Sequence, residues 1–245
     1  LEQELSGLFH RRHFLYETSL SPTVLRLLVR GPKTGHDQEL LLQLQEVVQT
    51  RKQENYARLV EHMRRSTAER RKIFIFGTPS QLMELCEFLT AQPASLQLNE
   101  GSLLLFGGGW KSFTGERISR EALVGMLAEN LGLPPERILE GYSMTEINAF
   151  MLRCDFGRFH IPPTIEPVIF NEELEPLSGS DLRGTFGFQD ALARSYPGFI
   201  ISGDAVHYVD GSCPCGLTGP AVTEIGRASA REAKGCGGIM ASLRA

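Results

Sequence analysis

"KIFIFGTPSQLMELCEFLTAQ", residues 72–92, holds an aromatic and β-branched run, a glycine and a helix-capping Thr-Pro in one phrase. The run ending at Gly77 predicts a short strand. Thr78 or Ser80, placed ahead of Leu82, Leu85, Cys86 and Leu89, predicts an N-capped helix with one apolar stripe. A strand that leads straight into a helix is half of a βαβ unit. Outward from it, "GSLLLFGGGW" (101–110) repeats the strand-then-glycine pattern. "SREALVGMLAENLGLPPERI" (119–138) supplies the next helix, opened by Ser119 and stopped by Gly132 and the prolines. "ILEGYSMTE" (138–146) reads as a third strand ending in a loop. Strands separated by helices predict a parallel sheet flanked by helices, because parallel strands need crossover connections.

Upstream, Leu, Val and Tyr recur at helical spacing between residues 37 and 71, which predicts one or two amphipathic helices. Downstream of Pro162 the texture changes. "TIEPVIFNEELEPL", "GTFGFQDAL", "GFIISGD" and "VHYVDG" read as short strands between Gly, Pro and Asp turns, so a smaller antiparallel β region is expected there. The expected organisation is an α/β core over 1–161, an antiparallel subdomain over 162–226 and a short tail over 227–245.

The 245 residues are 42% apolar and 22% charged, ordinary for a globular protein able to bury a core. The net charge of −4 argues against a nucleic-acid-binding domain, which carries a concentrated basic face. No apolar run has the roughly 20 residues of a membrane span, and "LEQELSGLFHRRHF" lacks the apolar region of a signal peptide. A cytoplasmic location is therefore expected. In a reducing compartment the five cysteines point to ligation or nucleophilic chemistry before disulfides.

Ligands of open α/β sheets gather at the carboxyl ends of strands. Two segments end strands here: Gly107-Gly108-Gly109 and the Gly141 to Glu146 loop. Glycines let the backbone approach a flat ligand, Thr145 can donate to a phosphate oxygen, and Glu146 can hold Mg2+ beside phosphates. Read alone, three glycines after a strand also make a plain turn. Asp204 likewise reads as a turn residue after a strand, and Arg227 as half of a surface ion pair.

The order of "GYSMTE", "ISGDAVHYVDG" and "EIGR" resembles the "YGxTE", "TGD" and following-Arg motifs of adenylate-forming enzymes. Together with "LLLFGGGWK", "CDFGRFHIPP", "CPCG" and "KGCG", it looks like the pattern of acyl-protein synthetases of the LuxE type, with phenylacetate-CoA ligases next. The likeness runs over roughly residues 72–240. It implies that Gly107, Gly108, Gly109 and Tyr142 surround an adenine, with Ser143 in the same nucleotide-binding loop. It further implies Thr145 at the α-phosphate, Glu146 on Mg2+, Asp204 on the ribose hydroxyls and Arg227 at the ribose or phosphate. The residue chemistry agrees: a carboxylate suits vicinal hydroxyls and an Arg fork suits an anionic phosphate.

Cys213-Pro214-Cys215 has one residue between its sulfurs and lies in a turn, unlike the two-residue spacing of catalytic dithiols. Cys154 and His160 stand upstream in "CDFGRFH". Three thiolates and an imidazole predict a closed, structural zinc site joining the loop after "SMTE" to the loop after "SGD". The competing reading makes His160 a turn cap and Cys154 a small buried hydrophobe. Cys86, on the apolar stripe of its helix, is expected in the core.

Cys236 stands among glycines behind Lys234, a setting that exposes a sulfur and favours its thiolate. The resemblance implies that it accepts the acyl group from the acyl-adenylate and passes it to a reductase partner; a free thiol is the other reading. Two departures from the family accompany this. "YETSLSP" (16–22) begins a Ser/Thr phosphate loop without its glycines, so that loop is expected to be a stretch this sequence lacks. The chain also ends soon after Arg227, without the further lysine-bearing domain of most adenylate-forming enzymes. The expected function is ATP- and Mg2+-dependent activation of a carboxylic acid, expected to be a fatty acid, followed by acyl transfer to Cys236. The alternatives are a CoA ligase with Cys236 idle, or a non-catalytic zinc-stapled module that grips a partner.

Overall fold

The computed structural model describes residues 11–16, 27, 31–108, 117–144, 146–194 and 198–228. These form two compact units, one of residues up to Ile138 and one from Leu139 onward. In the first, α1 (Gly35–Thr50) and α2 (Lys52–Ala68) precede β1 (Phe74–Gly77), α3 (Pro79–Thr90), β2 (Leu103–Gly107) and α4 (Arg120–Leu131). β1 and β2 run parallel, with Phe74 opposite Leu103 and Phe76 opposite Leu105. The connection between them is α3, as the 72–92 phrase predicts. Leu82, Leu85, Cys86 and Leu89 bury its apolar stripe against Leu104 and Phe106 of β2 and against Leu123, Leu127 and Leu131 of α4.

Local signals set the helix ends. Thr78 Oγ1 accepts from Gln81 N while the Gln81 side chain accepts from Thr78 N, a reciprocal capping box with Pro79 in the first turn. Thr78→Ala is expected to cost about 1 kcal/mol, seen as a fall of about 2–4 °C in the thermal midpoint. An unchanged midpoint would mean that tertiary packing alone holds this terminus. Ser119 Oγ caps α4 through Ala122 N at 3.1 Å. Gly132 ends it in the left-handed region at φ 64°, where a side chain would meet Gln97.

The second unit takes over within β3 (Ile138–Tyr142), which pairs antiparallel with β4 (Met151–Leu152). β5 (Phe159–His160), β6 (Ile165–Phe170), β7 (Asp181–Asp190), β8 (Phe199–Ser212) and β9 (Thr218–Arg227) form an antiparallel sheet in the order β5-β9-β8-β7-β6. Its inner face buries Ile165, Ile169, Phe186, Phe188, Val206 and Val222, and the Phe186 and Phe188 rings stack at 5.7 Å. The fold class is thus α/β with parallel pairing, followed by antiparallel β structure.

One expectation is corrected. "GFIISGD" and "VHYVDG" are not separate short strands but the two halves of the 14-residue β8. Pairing with β7 on one side and β9 on the other overrides the poor strand preference of Gly203 and Asp204. The strand is irregular there: from Ile201 to Ala205 β8 advances four residues while β7 advances two, from Gly187 to Thr185. The two extra residues form a bulge at Ser202-Gly203-Asp204, closed by Asp204 N donating to Ser202 Oγ at 3.2 Å. Among the described residues no helix is long and apolar enough to cross a membrane.

Candidate functional site

The β8 bulge aims Asp204 into a polar cluster within the second unit. Asp204 is 4% exposed. Tyr142 at the end of β3 donates its hydroxyl to Asp204 Oδ2 at 2.8 Å, and Arg227, opposite Asp204 in the β8–β9 register, holds Oδ1 at 3.0 Å. A carboxylate taken this far from water needs such partners, since desolvation of an unpaired charge costs several kcal/mol. Gly203 lies beside this pair: a Cβ built there would stand 3.4 Å from Arg227 Nη1, in ordinary contact. Burial, followed by the charge and hydrogen bond of Asp204, pushes the Tyr142 phenol far above its ordinary value, so Tyr142 remains a neutral donor. Glu146 adds to that push and so lies within electrostatic reach of Tyr142, while its own carboxylate is exposed.

The loop carrying Glu146 is tied at both ends. Ser143 Oγ donates to Ala149 O at 2.8 Å, and Ile147 N donates to Met144 O at 3.2 Å. Asp190, also 4% exposed, accepts from Asn148 N at 2.8 Å and Asn148 Nδ2 at 2.9 Å through Oδ2. Its Oδ1 accepts from Leu192 N at 2.8 Å. The sequence reading passed over Asp190, although a signal existed. It continues the Phe186, Phe188 phase of β7, and an acid on the inward face of a strand must be paired.

In the first unit, Gly107 closes β2 and Gly108 follows with φ 85°, a conformation open to glycine. Gly109, Trp110, Thr145 and Cys236 lie outside the described residues. The structure thus brings together Tyr142, Asp204 and Arg227, with Glu146 near, and Ser143 engaged within its own loop.

The cysteine–histidine cluster forms at the far end of the same sheet from two matching turns. Gly157 N donates to Cys154 O at 3.0 Å and Cys154 N to Arg158 O at 2.9 Å. Gly216 N donates to Cys213 O at 2.9 Å and Cys213 N to Leu217 O at 2.8 Å. Gly157 and Gly216 hold φ 78° and 93°. The ligand atoms of Cys154, His160, Cys213 and Cys215 all lie within 4.8 Å of one another. Cys154 Sγ and Cys213 Sγ are 3.8 Å apart, too far for a disulfide. A tetrahedron with metal–sulfur bonds of about 2.3 Å has S···S edges of about 3.8 Å. His160 Nε2 lies 3.3 Å from Cys215 Sγ, near the S···N edge of about 3.5 Å in the same geometry. Burial, then Arg158, lowers the pKa of His160 and favours the neutral, metal-binding ring. The four residues fit a tetrahedral metal ion.

Sequence comparison supplies the family. The profile "Acyl-protein synthetase, LuxE" matches residues 49–243. The chain is 25% identical over 191 residues to the "Long-chain-fatty-acid--luciferin-component ligase" of Aliivibrio fischeri, covering 77% of this chain and 50% of that protein. It is 27% identical over 182 residues to the protein of the same name in Vibrio harveyi, covering 71% and 46%. The chain therefore spans about half the length of the curated relatives it matches. Among solved structures, an open conformation of 2-hydroxyisobutyryl-CoA ligase with 2-HIB-AMP and CoA aligns at TM-score 0.49 and 22% identity, covering 71% of this chain and 36% of that one. A long-chain-fatty-acid-CoA ligase from Archaeoglobus fulgidus aligns at 0.42 and 15%, covering 59% and 33%. With four-fifths of its residues inside the profile, this chain belongs to the LuxE family of acyl-protein synthetases.

Proposed function

We propose that this chain carries the nucleotide-binding part of an ATP-dependent acyl-protein synthetase acting on a long-chain fatty acid. The observation that carries the reading is the buried Asp204, oriented by Tyr142 and neutralised by Arg227. A carboxylate offers about four acceptor sites, so a ribose diol can bind Asp204 bidentately. Arg227 can then turn toward the phosphate. The fatty carboxylate oxygen attacks the α-phosphorus of ATP, the α–β bridging bond breaks, and pyrophosphate leaves. Bound through Glu146, Mg2+ supplies charge neutralisation at the phosphates. Thr145 donates to the α-phosphate and Gly107 to Gly109 flank the adenine. Orientation and charge, with no general base, are what this step demands. Next, the Cys236 thiolate attacks the acyl carbonyl and AMP leaves, giving a thioester that an acyl reductase can consume. A structural zinc at Cys154, His160, Cys213 and Cys215 staples the two turns, and three thiolate ligands suit a reducing, cytoplasmic setting.

The test is ATP–pyrophosphate exchange by the intact chain with Mg2+ and a C14 or C16 fatty acid, beside calorimetric binding of a non-hydrolysable acyl-adenylate mimic. Exchange together with mimic binding is expected. Neither one, across acids of several lengths, would leave a non-catalytic partner-binding module as the better account. Labelled fatty acid distinguishes the acceptor: covalent label lost in Cys236→Ser supports acyl-protein synthesis, and label appearing only on added CoA supports a CoA ligase.

A further inference from the structure

We infer that Asp190 is a positioning residue for the proposed metal–nucleotide site, fixing the loop that carries Glu146. The inference rests on the proposed function only for the metal's role; the restraint itself stands on the geometry. Asp190 sits at the end of β7, buried, in the same inward phase as Phe186 and Phe188. A carboxylate in that position is costly unless donors surround it, and here they come from two separate segments. Asn148, two residues past Glu146, gives both its backbone and its side-chain N–H to Oδ2. Leu192, in the turn that leaves β7, gives its backbone N–H to Oδ1.

The strand end holding the carboxylate is itself fixed. Asp190 N donates to Gly198 O at 2.8 Å, Ala191 N to Thr164 O at 2.9 Å, and Ala193 N to Asp190 O at 3.1 Å. Asp190 is therefore anchored to the sheet while Glu146 is on an exposed loop, and the two bonds to Asn148 link them. Within the loop, Ser143 Oγ donates to Ala149 O and Ile147 N to Met144 O, and the Ile147 side chain is buried in the second unit's apolar cluster. The Asp190–Asn148 pair adds a polar restraint beside that apolar one, two residues from Glu146, and so contributes to where Glu146 presents its oxygens.

The chemistry requires a carboxylate. At least three N–H donors converge on its two oxygens, and an amide has one oxygen and two N–H groups of its own. In Asp190→Asn, one side must therefore place N–H against N–H, either at Asn148 or at Leu192. Groups that orient metal ligands from behind typically change metal affinity 10–100-fold when lost.

The experiment uses the intact chain carrying Asp190→Asn and, separately, Asn148→Ala, which keeps the backbone bond and loses the side-chain one. For Asp190→Asn, half-saturating Mg2+ in the pyrophosphate-exchange assay is expected to rise about 10–100-fold, with half-saturating fatty acid nearly unchanged. Asn148→Ala should move Mg2+ dependence the same way by less. Hydrogen exchange read by mass spectrometry should speed up about tenfold or more for the peptide spanning 143–150 in Asp190→Asn, with the β9 peptide unchanged. An unaltered Mg2+ response in either folded variant, or Mg2+ and fatty-acid dependence rising together, overturns the inference. Should Asp190→Asn fail to fold, Asn148→Ala decides alone. If the wild type shows no exchange activity, the proposed function falls instead, and the hydrogen-exchange result still decides whether Asp190 restrains this loop.

Discussion

Cys213→Ser is expected to strip the metal from this protein and to lower its thermal midpoint by roughly 10 °C, a loss of several kcal/mol at about 2–4 °C per kcal/mol. The magnitude follows from the way the cluster is built. Four ligands arrive from two stretches far apart in sequence, Cys154 with His160 and Cys213 with Cys215, and their donor atoms already lie within 4.8 Å of one another. Structural zinc sites of this donor type contribute on the order of 10 kcal/mol or more of apparent free energy in small peptides. A folded domain retains part of that through its other contacts, so only a fraction is lost here. Serine offers an oxygen of high pKa in place of a thiolate, and Cys213 is the most buried of the four. The measurements are metal content by plasma spectrometry and thermal unfolding with and without chelator. About one zinc per chain in the wild type, with almost none in the variant, is the expected pair of results. A wild type purified with no metal, stable to chelator, would end the account, and the turns would then rest on their own hydrogen bonds.

Asp204→Ala is expected to weaken binding of the acyl-adenylate mimic about 10²–10⁴-fold, since hydrogen bonds to a charged acceptor contribute about 1.5–3 kcal/mol each and a ribose diol makes two. Part of the effect comes from the unliganded protein. Removing the carboxylate leaves the Tyr142 hydroxyl without its 2.8 Å partner and takes the nearest anion from Arg227. Asp204→Asn preserves the shape and should fall between wild type and alanine. Tyr142→Phe isolates the orienting bond: it keeps the ring packed on Phe159 and Phe186 but frees Asp204 to change rotamer. Calorimetry with the mimic, on variants checked for cooperative unfolding, provides the numbers. Binding that is indifferent to Asp204 would mean the nucleotide lies elsewhere.

The parts legible in the sequence were those where one local rule acts alone. Thr78-Pro79 with Gln81 is an N-terminal cap whatever surrounds it, and Gly132 ends α4 because a left-handed residue was needed there. Alternation and turn residues located the antiparallel region. That Cys154, His160, Cys213 and Cys215 come together was also readable, since the two short Cys-bearing stretches carry turn formers that can present side chains to one another. What could not be read was pairing. "SGD" resembles a turn when judged by propensity, and only the ladders on both sides make it the middle of β8. The same ladders place Arg227 opposite Asp204, a relation that sequence separation hides. Tyr142 was expected beside an adenine from its motif, yet its hydroxyl bond to Asp204 depends on a bulge that no residue type announces. Asp190 shows the converse, a signal present in the strand phase but passed over because acids near turns are so common.

The β8–β9 ribbon joins the cysteine cluster to the Asp204 site. Cys213 and Cys215 lie in the turn at one end, while Asp204 and Arg227 face one another toward the other, roughly 30 Å of strand away at about 3.4 Å per residue. The two strands of this ribbon are not of equal length: β9 spends one extra residue, Thr223, between the partners of His207 and Tyr208. The ladder therefore absorbs a single-residue mismatch part-way along and resumes pairing on either side. The clamped turn and the Asp204–Arg227 pair stay opposite one another although β9 takes one step more than β8 to join them.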